Sequence, residues 1–354
     1  MRRVRRRARA ARPGGGGGNR GARGRRGGPG RGDRVPARAD RLVQVPSTRG
    51  DRGSAAPRAE REGAEARARR PVRGVSGAVL RTPIPSVAMG DGVPIPQFGV
   101  GTYKVPDGDA ERIVAEALEV GYRHIDTAAM YGNEEGVGRA IRASGIPRDE
   151  LFVTTKVWND DQGRARAAEA MRRSLDRLGL PAVDLILIHW PAAERGLFVE
   201  TWEALAQARE EGITRSIGVS NFLVPHLQAL DAAGLPAPAV DQIELHPRHQ
   251  QRETTAYLTE HGIAVQAWSP LARGAVADAP VVRDAALAHG RTDAQVVLRW
   301  HVQRGTIVFP KTTRRERLIE NADVFDFALT DEEVAGITAL EAAGRVGSHP
   351  DQVV

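Results

Sequence analysis

Four residues of types that carry proton chemistry follow three successive β-type segments of the sequence. Asp126 ends the segment YRHID, Lys156 ends LFVTTK, and His189 ends VDLILIH. Tyr131 lies five residues after Asp126, in a loop that runs into Gly-Asn. A free tyrosine has a pKa of about 10, and a nearby ammonium group lowers it by stabilising the phenolate. These residue types suit proton donation to a carbonyl oxygen during hydride transfer.

Each of the four has a distinct expected role in that chemistry. Tyr131 would be the acid, and Lys156 would lower its pKa. Asp126 would hold Lys156 charged and in place. His189 would donate a hydrogen bond that orients the substrate carbonyl. All of this requires that the ends of the three segments meet at one edge of a sheet.

The segments that must position these residues form a repeating pattern. Eight short β-rich stretches alternate with stretches of helical spacing. They are FGVGT, YRHID, LFVTTK, VDLILIH, RSIGVS, VDQIE, IAVQAW and TIVFP, which end at positions 102, 126, 156, 189, 220, 244, 268 and 310. Alternation predicts a parallel sheet, and eight units in about 250 residues predict a closed (β/α)8 TIM barrel with its active site at the carboxyl ends of the strands.

Local signals mark the other elements. The stretch VAMGDGVPIPQ has a Gly-Asp-Gly turn between β-type residues and predicts a hairpin that caps the bottom of the barrel. Met171, Leu175 and Leu178 predict one apolar helix face, and a capping box predicts a late helix that begins after Thr330. A Rossmann fold is excluded, because Gly99-Val-Gly101 is not followed by the third glycine of that fingerprint.

The first 84 residues differ in composition from the rest of the chain. They contain 24 Arg and 6 acidic residues, a net charge of +18, whereas the remaining 27 basic and 38 acidic residues give −11. We expect residues 1–84 to be a disordered Arg/Gly-rich tail, because they cannot bury enough apolar surface. One interpretation is a mis-assigned start, with the true start between Val79 and Met89; the alternatives are a nucleic-acid-binding arm and, with less support, a targeting peptide.

Composition also limits the chemistry of residues 85–354, which we expect to form the barrel domain. The chain has no cysteine, which excludes disulfides, Cys-based zinc sites and thiol nucleophiles. Its longest apolar runs have the length of a strand and are too short to cross a membrane. We expect a cytoplasmic protein that acts on a small carbonyl compound; that it is a monomer is implied only by its resemblance to a known family.

The later strands offer groups for a hydride donor. Ser220 and Asn221 follow the fifth strand and Gln242 lies on the sixth, where they could bond a carboxamide; Trp268 ends the seventh and could stack on a nicotinamide ring. After the eighth strand, PKTTRRERLIEN crowds donors and positive charge at a helix start. These are Lys311, Thr312, Arg314, Arg315 and Arg317. Phosphate binding is a recurring use of this position, and the charge favours the 2′-phosphate of NADPH.

Seven motifs of this sequence, taken together, resemble the aldo-keto reductase family from about Val87 to Val354. They are GYRHIDTAAMYGNEEGVG, TTKVWND, DLILIHWP, RSIGVSNF, DQIELHP, AWSPL and FPKTTRRERLIEN. The resemblance implies NADPH-dependent carbonyl reduction with the same four catalytic residues. It adds Ser269, Leu271, Glu320 and Asn321 to the cofactor site, and Tyr103, Trp158 and Trp190 to the substrate pocket beside His189. It favours keto-sugar acids of the 2,5-diketo-D-gluconate type or small carbonyls as substrates.

Three other functions remain open on sequence grounds. In a metal-dependent barrel hydrolase, His124 and Asp126 would project ligands from one strand face, and Lys156, His189 and His246 could complete the site. Such a metal site would leave Tyr131 and the basic segment unexplained, so we expect no metal. The others are a non-catalytic NADPH-binding regulatory subunit and a protein whose basic tail binds nucleic acid.

Overall fold

A closed ring of eight parallel strands forms the centre of the molecule in the computed structural model, which describes residues 80–354. The strands are β3 (Val100–Gly101), β4 (His124–Asp126), β5 (Phe152–Val157), β6 (Val183–Ile188), β7 (Thr214–Ser220), β8 (Val240–Glu244), β9 (Ala264–Trp268) and β10 (Ile307–Val308). They pair in sequence order, and a parallel bridge between Phe98 and Val308 joins the two edges of the sheet. The predicted TIM barrel is confirmed.

Ten α-helices surround these strands in the described part of the chain. They are α1 (Asp107–Val120), α2 (Glu134–Ala143), α3 (Arg164–Leu178), α4 (Phe198–Glu210), α5 (Val224–Ala232), α6 (Arg252–Glu260), α7 (Pro280–His289), α8 (Asp293–Gln303), α9 (Arg315–Ala322) and α10 (Asp331–Thr338). Eight helices were expected; the units that follow β9 and β10 each carry two. Met171 and Leu178 of α3 are buried as predicted, and Thr330 caps α10 by accepting the N–H of Glu333.

A hairpin closes the end of the barrel where the strands begin. Its strands β1 (Ser86–Ala88) and β2 (Pro94–Pro96) pair antiparallel. The Gly90 N–H donates to the carbonyl of Ala239, just before β8, at 2.9 Å. A Cβ on Gly90 would lie 2.5 Å from the carbonyl oxygen of Gly262, so only glycine allows this close approach. The predicted cap is confirmed, and it leaves the carboxyl ends of the strands as the open mouth.

The predicted basic tail lies outside the described residues, except for its last five positions. Within those five, the Leu80 N–H donates to the carbonyl of Val120 at 3.1 Å, and Ile84 packs against the core. The interpretations of the tail therefore stay predictions.

Membrane-spanning character was searched for in residues 80–354. None of their helices combines the length and the apolarity that a bilayer crossing requires.

Candidate active site

A cavity of about 890 Å³ opens at the mouth of the barrel. Twelve of the residues predicted to be functional line it. They are Tyr103, Asp126, Tyr131, His189, Trp190, Ser220, Asn221, Gln242, Trp268, Ser269, Leu271 and Lys311. Sequence reasoning assigned no role to several other residues that line the cavity. They are Lys104, Met130, Arg273, Phe309, Val346, Gly347 and Ser348.

Lys156 connects three of the four expected catalytic groups. Its Nζ donates to Asp126 Oδ1 at 2.7 Å, to the Thr127 carbonyl at 2.9 Å and to the Tyr131 hydroxyl at 3.4 Å. The Lys156 side chain is fully buried, and that of Asp126 is 3% exposed. Parallel pairing of β4 with β5 places Asp126 opposite Thr154, so Lys156 lies two residues nearer the mouth on the same face.

Burial dominates the electrostatics of this group. It raises the pKa of Asp126 and lowers the pKa of Lys156, and the attraction between the two charges offsets part of each shift. Burial also raises the pKa of Tyr131 well above its ordinary value, with the Asp126 charge and Tyr103 adding to the effect. The expected lowering of the Tyr131 pKa is therefore not found in this structure, because desolvation of the phenolate outweighs the stabilising effect of the Lys156 ammonium. Tyr131 holds its proton at neutral pH.

His189 lies beside this group as a neutral imidazole. Burial, reinforced by the charge of Lys156, lowers the pKa of His189 well below its ordinary value. Its ring lies 5.6 Å from that of Tyr131 and 5.1 Å from that of Trp158, centroid to centroid. Its Nδ1 is buried and has no hydrogen-bond partner among residues 80–354. A neutral ring can donate one hydrogen bond, as the expected positioning role requires.

Two residues that follow Tyr131 hold its loop in place, and sequence reasoning missed both. The first is Asn133, which is fully buried. Its Oδ1 accepts from the Thr127 hydroxyl at 2.8 Å. Its Nδ2 donates to the carbonyls of Thr102 and Val105 at 2.9 and 2.8 Å. The loop is thus tied both to the end of β4 and to the segment after β3.

Glu134 ties the same loop to β5. Its Oε1 accepts from the hydroxyl of Thr155, the residue before Lys156, at 2.5 Å. Its Oε2 accepts from Arg177 Nε at 2.7 Å. Asn133 and Glu134 both lie in the motif GYRHIDTAAMYGNEEGVG, but sequence analysis assigned neither of them a role. Both tethers hold the phenol and the ammonium in fixed relation.

The groups expected to meet a carboxamide form one hydrogen-bonded chain. Asn221 Nδ2 donates to the His189 carbonyl at 3.0 Å, and Asn221 Oδ1 accepts from Trp268 Nε1 at 2.8 Å. The Ser220 hydroxyl donates to the Gln242 carbonyl at 2.8 Å. Asn221 adopts a left-handed backbone with φ 65°, which asparagine tolerates better than most residues.

Gln242 connects this chain to the catalytic group. Its Nε2 donates to Asp126 Oδ2 at 2.8 Å and to Gln266 Oε1 at 3.0 Å. Asp126 is therefore bonded through one oxygen to Lys156 and through the other to Gln242. Gln266 was not predicted, because it lies in mid-strand in a segment that was interpreted only as β structure.

The basic segment after β10 divides into two parts. Lys311 lines the cavity. Thr312 Oγ1 accepts the N–H of Arg314 at 3.2 Å, and Arg317 forms an ion pair with Glu320 at 2.6 Å. These side chains lie beyond the cavity lining, on the loop and first turns of α9.

Two further residues of this segment, Arg315 and Asn321, do not line the cavity. Arg315 pairs with Glu119 of α1 at 3.0 Å, so it belongs to the packing between helices. Asn321 is 4% exposed in the last turns of α9.

Aromatic side chains lie beside the candidate catalytic residues Tyr131 and His189. The ring of Tyr103 lies 5.1 Å from that of Tyr131, and Trp190 lies 6.5 Å from Trp268, centroid to centroid. Trp158 contacts His189 but lines a second cavity of about 520 Å³ beside α2. The structure thus brings Tyr103 and Trp190 into the main cavity and places Trp158 behind it.

The lysines of the chain are confined to this site. The chain has three lysines among 51 basic residues. Lys104 and Lys311 line the cavity, and Lys156 lies buried beside it. All the other basic residues of the chain are arginines.

The alternative metal site lacks the necessary arrangement. Among residues 80–354, no three or more His, Asp or Glu side chains are grouped so that they could hold a metal ion. Asp126 is instead bonded to Lys156, and His124 lies 3.4 Å from the Thr154 hydroxyl inside the barrel.

Comparison with known proteins identifies the family. The model of the aldo/keto reductase family matches residues 96–342. The chain belongs to the aldo/keto reductase family. An aldo-keto reductase of Mycobacterium sp. (strain JLS) is 50% identical over 267 residues, which cover 75% of this chain and 96% of the relative. Methylglyoxal reductase DkgA of Yersinia pestis is 48% identical over 270 residues, which cover 75% of this chain and 96% of the relative.

Solved aldo/keto reductase structures have the same fold. A mutant of Gox0644 in complex with NADPH superimposes with a TM-score of 0.73 at 41% identity and covers 77% of this chain and 99% of that chain. The part of this chain that these relatives match corresponds to the barrel.

Proposed function

We propose that this aldo/keto reductase uses NADPH to reduce aldehyde and ketone carbonyls to alcohols, with Tyr131 as the proton donor. The observation that carries the proposal is the contact of one buried ammonium, Lys156, with both the Asp126 carboxylate and the Tyr131 hydroxyl. This group lies at the edge of a cavity of about 890 Å³, large enough for a nicotinamide and a small carbonyl compound.

The residues of the cavity fit NADPH. A hydroxyl, two amides and an indole line one side, which suits a flat ring that bears a carboxamide. Ser220, Asn221 and Gln242 would hold the carboxamide, Trp268 would stack on the ring, and Ser269 and Leu271 would border it. Gox0644, a relative, was solved with NADPH, which supports this cofactor.

The 2′-phosphate would lie toward the basic segment. Lys311, Thr312 and Arg317 offer an ammonium, a hydroxyl and a guanidinium there, with Glu320 and Asn321 nearer the adenine. A dianionic phosphate interacts more strongly with such donors than a ribose hydroxyl does.

Because its pKa is raised, Tyr131 carries a proton at neutral pH and can donate it when negative charge develops on a carbonyl oxygen. NADPH supplies the hydride when bound. As charge develops on the carbonyl oxygen, Tyr131 transfers its proton, and the nearby ammonium of Lys156 stabilises the phenolate that remains. Asp126 keeps Lys156 charged against the cost of its burial. His189, being neutral, donates a hydrogen bond that orients the carbonyl.

For the substrate, we propose small dicarbonyl compounds such as methylglyoxal. The similarity to a methylglyoxal reductase and the aromatic walls of Tyr103 and Trp190 support this choice. A keto-sugar acid of the 2,5-diketo-D-gluconate type is the second candidate, because Lys104 adds a positive charge to the same cavity.

The test is NADPH oxidation by the purified chain across a panel of methylglyoxal, simple aldehydes and 2,5-diketo-D-gluconate. We expect turnover of methylglyoxal with NADPH and weaker turnover with NADH. Absence of turnover with every carbonyl would favour the non-catalytic regulatory subunit instead.

The proton donor is tested by Tyr131→Phe. Loss of general acid catalysis lowers kcat by about 10²–10⁴-fold, whereas NADPH affinity should remain unchanged. Near-normal turnover in this variant would show that another group supplies the proton.

A further inference from the structure

A short C-terminal segment forms part of the wall of the cavity at the mouth of the barrel. Residues 345–348, named here the C-terminal strap, place Val346, Gly347 and Ser348 in the cavity wall. Just before the strap, the Gly344 N–H donates to the Arg248 carbonyl at 2.9 Å, so the chain enters from the loop that follows β8.

The strap is bonded to a buried carboxylate that none of the proposed catalytic steps uses. Glu244, the last residue of β8, is fully buried. Its Oε1 accepts the Val346 N–H at 2.5 Å, and its Oε2 accepts the Gly347 N–H at 2.9 Å. His246 Nε2 lies 3.1 Å from Oε1, and an Arg345 nitrogen lies 3.7 Å from Oε2. Two successive backbone donors on one carboxylate fix the strap conformation through charge-assisted bonds.

The same contact presses the strap against the residue expected to stack on the nicotinamide. Glu244 and Trp268 are paired neighbours on β8 and β9. A Cβ on Gly347 would lie 2.3 Å from Trp268 Cη2 and 2.8 Å from Glu244 Oε2. Only glycine therefore allows the strap to lie flat between the two. The Trp268 ring is held at its other end by the bond from Nε1 to Asn221.

We propose that Glu244 is a positioning residue that clamps the C-terminal strap against Trp268 and so forms the wall that confines a small carbonyl substrate. This inference rests on the proposed reductase function. The clamp touches neither Tyr131 nor Lys156, so its loss should loosen substrate binding more than it slows the chemical step. A purely structural role would instead lower stability and leave KM unchanged.

The test is Glu244→Gln, which keeps the shape but removes the charge and replaces one acceptor with a donor. In the wild type, trypsin should cleave slowly after Arg345; the cut releases nine residues, 346–354. In the variant we expect release at least about tenfold faster, because a charge-assisted anchor is lost. We expect KM for methylglyoxal to rise by about tenfold, with kcat within about twofold.

Two controls separate the clamp from general damage. Glu253→Gln alters an exposed glutamate in the first turn of α6 and should match the wild type in both measurements. In a chain that lacks residues 345–354, Glu244→Gln should cause no further rise in KM, because its partner is gone.

The outcome has clear alternatives. Cleavage and KM of Glu244→Gln equal to those of the wild type would overturn the clamp. If Glu244→Gln does not fold, Gly347→Ala is measured instead, because its Cβ must displace the strap or Trp268. An unchanged KM and cleavage rate in that variant would overturn the clamp. If the wild type turns over no carbonyl, the proposed function fails, yet the cleavage comparison still decides whether Glu244 holds the strap.

Discussion

In the half of the barrel mouth formed by β3 to β6, buried side chains tie the loop after β4 to its neighbours, whereas in the half formed by β7 to β10 the loop after β9 contains three non-glycine residues with left-handed backbone. On the first half, Asn133 and Glu134 bond the Tyr131 loop to its neighbours. On the second, Ser269, Ala272 and Arg273 adopt left-handed backbone with φ of 51°, 48° and 52°. Such conformations cost about 1–3 kcal/mol each and cluster where ligands bind. The loop that carries Tyr131 is therefore held by side-chain bonds, and the loop after β9 carries more of the conformational cost.

Two buried aspartates show the same contrast. Asp126 is bonded through both oxygens, to Lys156 and to Gln242. Asp241 on β8 is fully buried, and neither of its carboxylate oxygens makes a well-formed hydrogen bond among the described residues. Burial raises the pKa of Asp241 well above its ordinary value, and a contact with the N–H of Phe222 offsets only part of the shift.

The largest effect is expected for Lys156→Met, in the half formed by β3 to β6. Asp126 would remain buried without its charge partner, which costs about 3–5 kcal/mol of stability. Loss of the ammonium should also lower kcat by about 10²-fold or more. Urea unfolding and steady-state kinetics measure both effects. Lys104→Met removes an exposed ammonium from the same mouth, so it should keep wild-type stability; equal losses in both variants would contradict the account.

A smaller effect is expected for Asn133→Ala, which removes the tether of the Tyr131 loop. The Thr102 and Val105 carbonyls lose their donor, so kcat should fall by about tenfold and NADPH affinity should hold. Kinetics and cofactor titration test this. Glu135→Ala, an exposed neighbour on α2, is the control. An unchanged kcat in Asn133→Ala would show that the loop positions Tyr131 without this tether.

In the half formed by β7 to β10, Lys311→Ala should weaken the binding of NADPH and leave the binding of NADH unaffected. One charge-assisted contact to a partly exposed phosphate corresponds to about tenfold in Kd. Fluorescence titration with both cofactors measures the ratio, and Arg314→Ala tests whether any exposed cation of the segment has the same effect. Equal losses for NADPH and NADH would refute the 2′-phosphate assignment.

The smallest effect concerns Asp241. Its folded-state pKa is raised above the unfolded value, so the folded chain binds the proton more tightly. The stability from this group is fully present below the unfolded pKa and is lost as pH rises toward the folded one. Asp241→Asn removes this loss. The free energy of unfolding of the variant should therefore rise, relative to that of the wild type, by about 1 kcal/mol or more between about pH 5 and about pH 8. Urea midpoints of the variant and the wild type at both pH values measure this change. A stability difference that is the same at both pH values would show that Asp241 is ionised in the folded state.

Much of the fold followed from local sequence. The strand VDQIE was predicted with its observed bounds, and RSIGVS and IAVQAW were each off by one residue at their start. The apolar face of α3 was also predicted, and the helix ends where Gly179 takes up left-handed backbone, φ 62°. The contraction of FGVGT to Val100–Gly101 could not be predicted, because ladder length depends on neighbouring strands.

Some features of the candidate site could likewise be predicted from the sequence, and others could not. Asp126, Lys156 and His189 were identifiable because residues at strand ends converge in any parallel barrel. The clamp of Glu244 on the strap spans about a hundred residues of sequence, and its partners are backbone groups, which carry no residue signature. The direction of the Tyr131 pKa shift could not be predicted for a related reason. The burial of this side chain depends on cavity walls that form only in the folded chain.

The confinement of all three lysines to the mouth makes the chain open to selective labelling. An amine-directed reagent has, besides the N-terminal amine, only Lys104, Lys156 and Lys311 as targets. Lys156 is buried and paired, so reaction should fall on the other two. These follow β3 and β10, the strands that meet at the bridge between Phe98 and Val308. Labelling would therefore mark both sides of the cavity mouth where the first and last strands of the barrel meet.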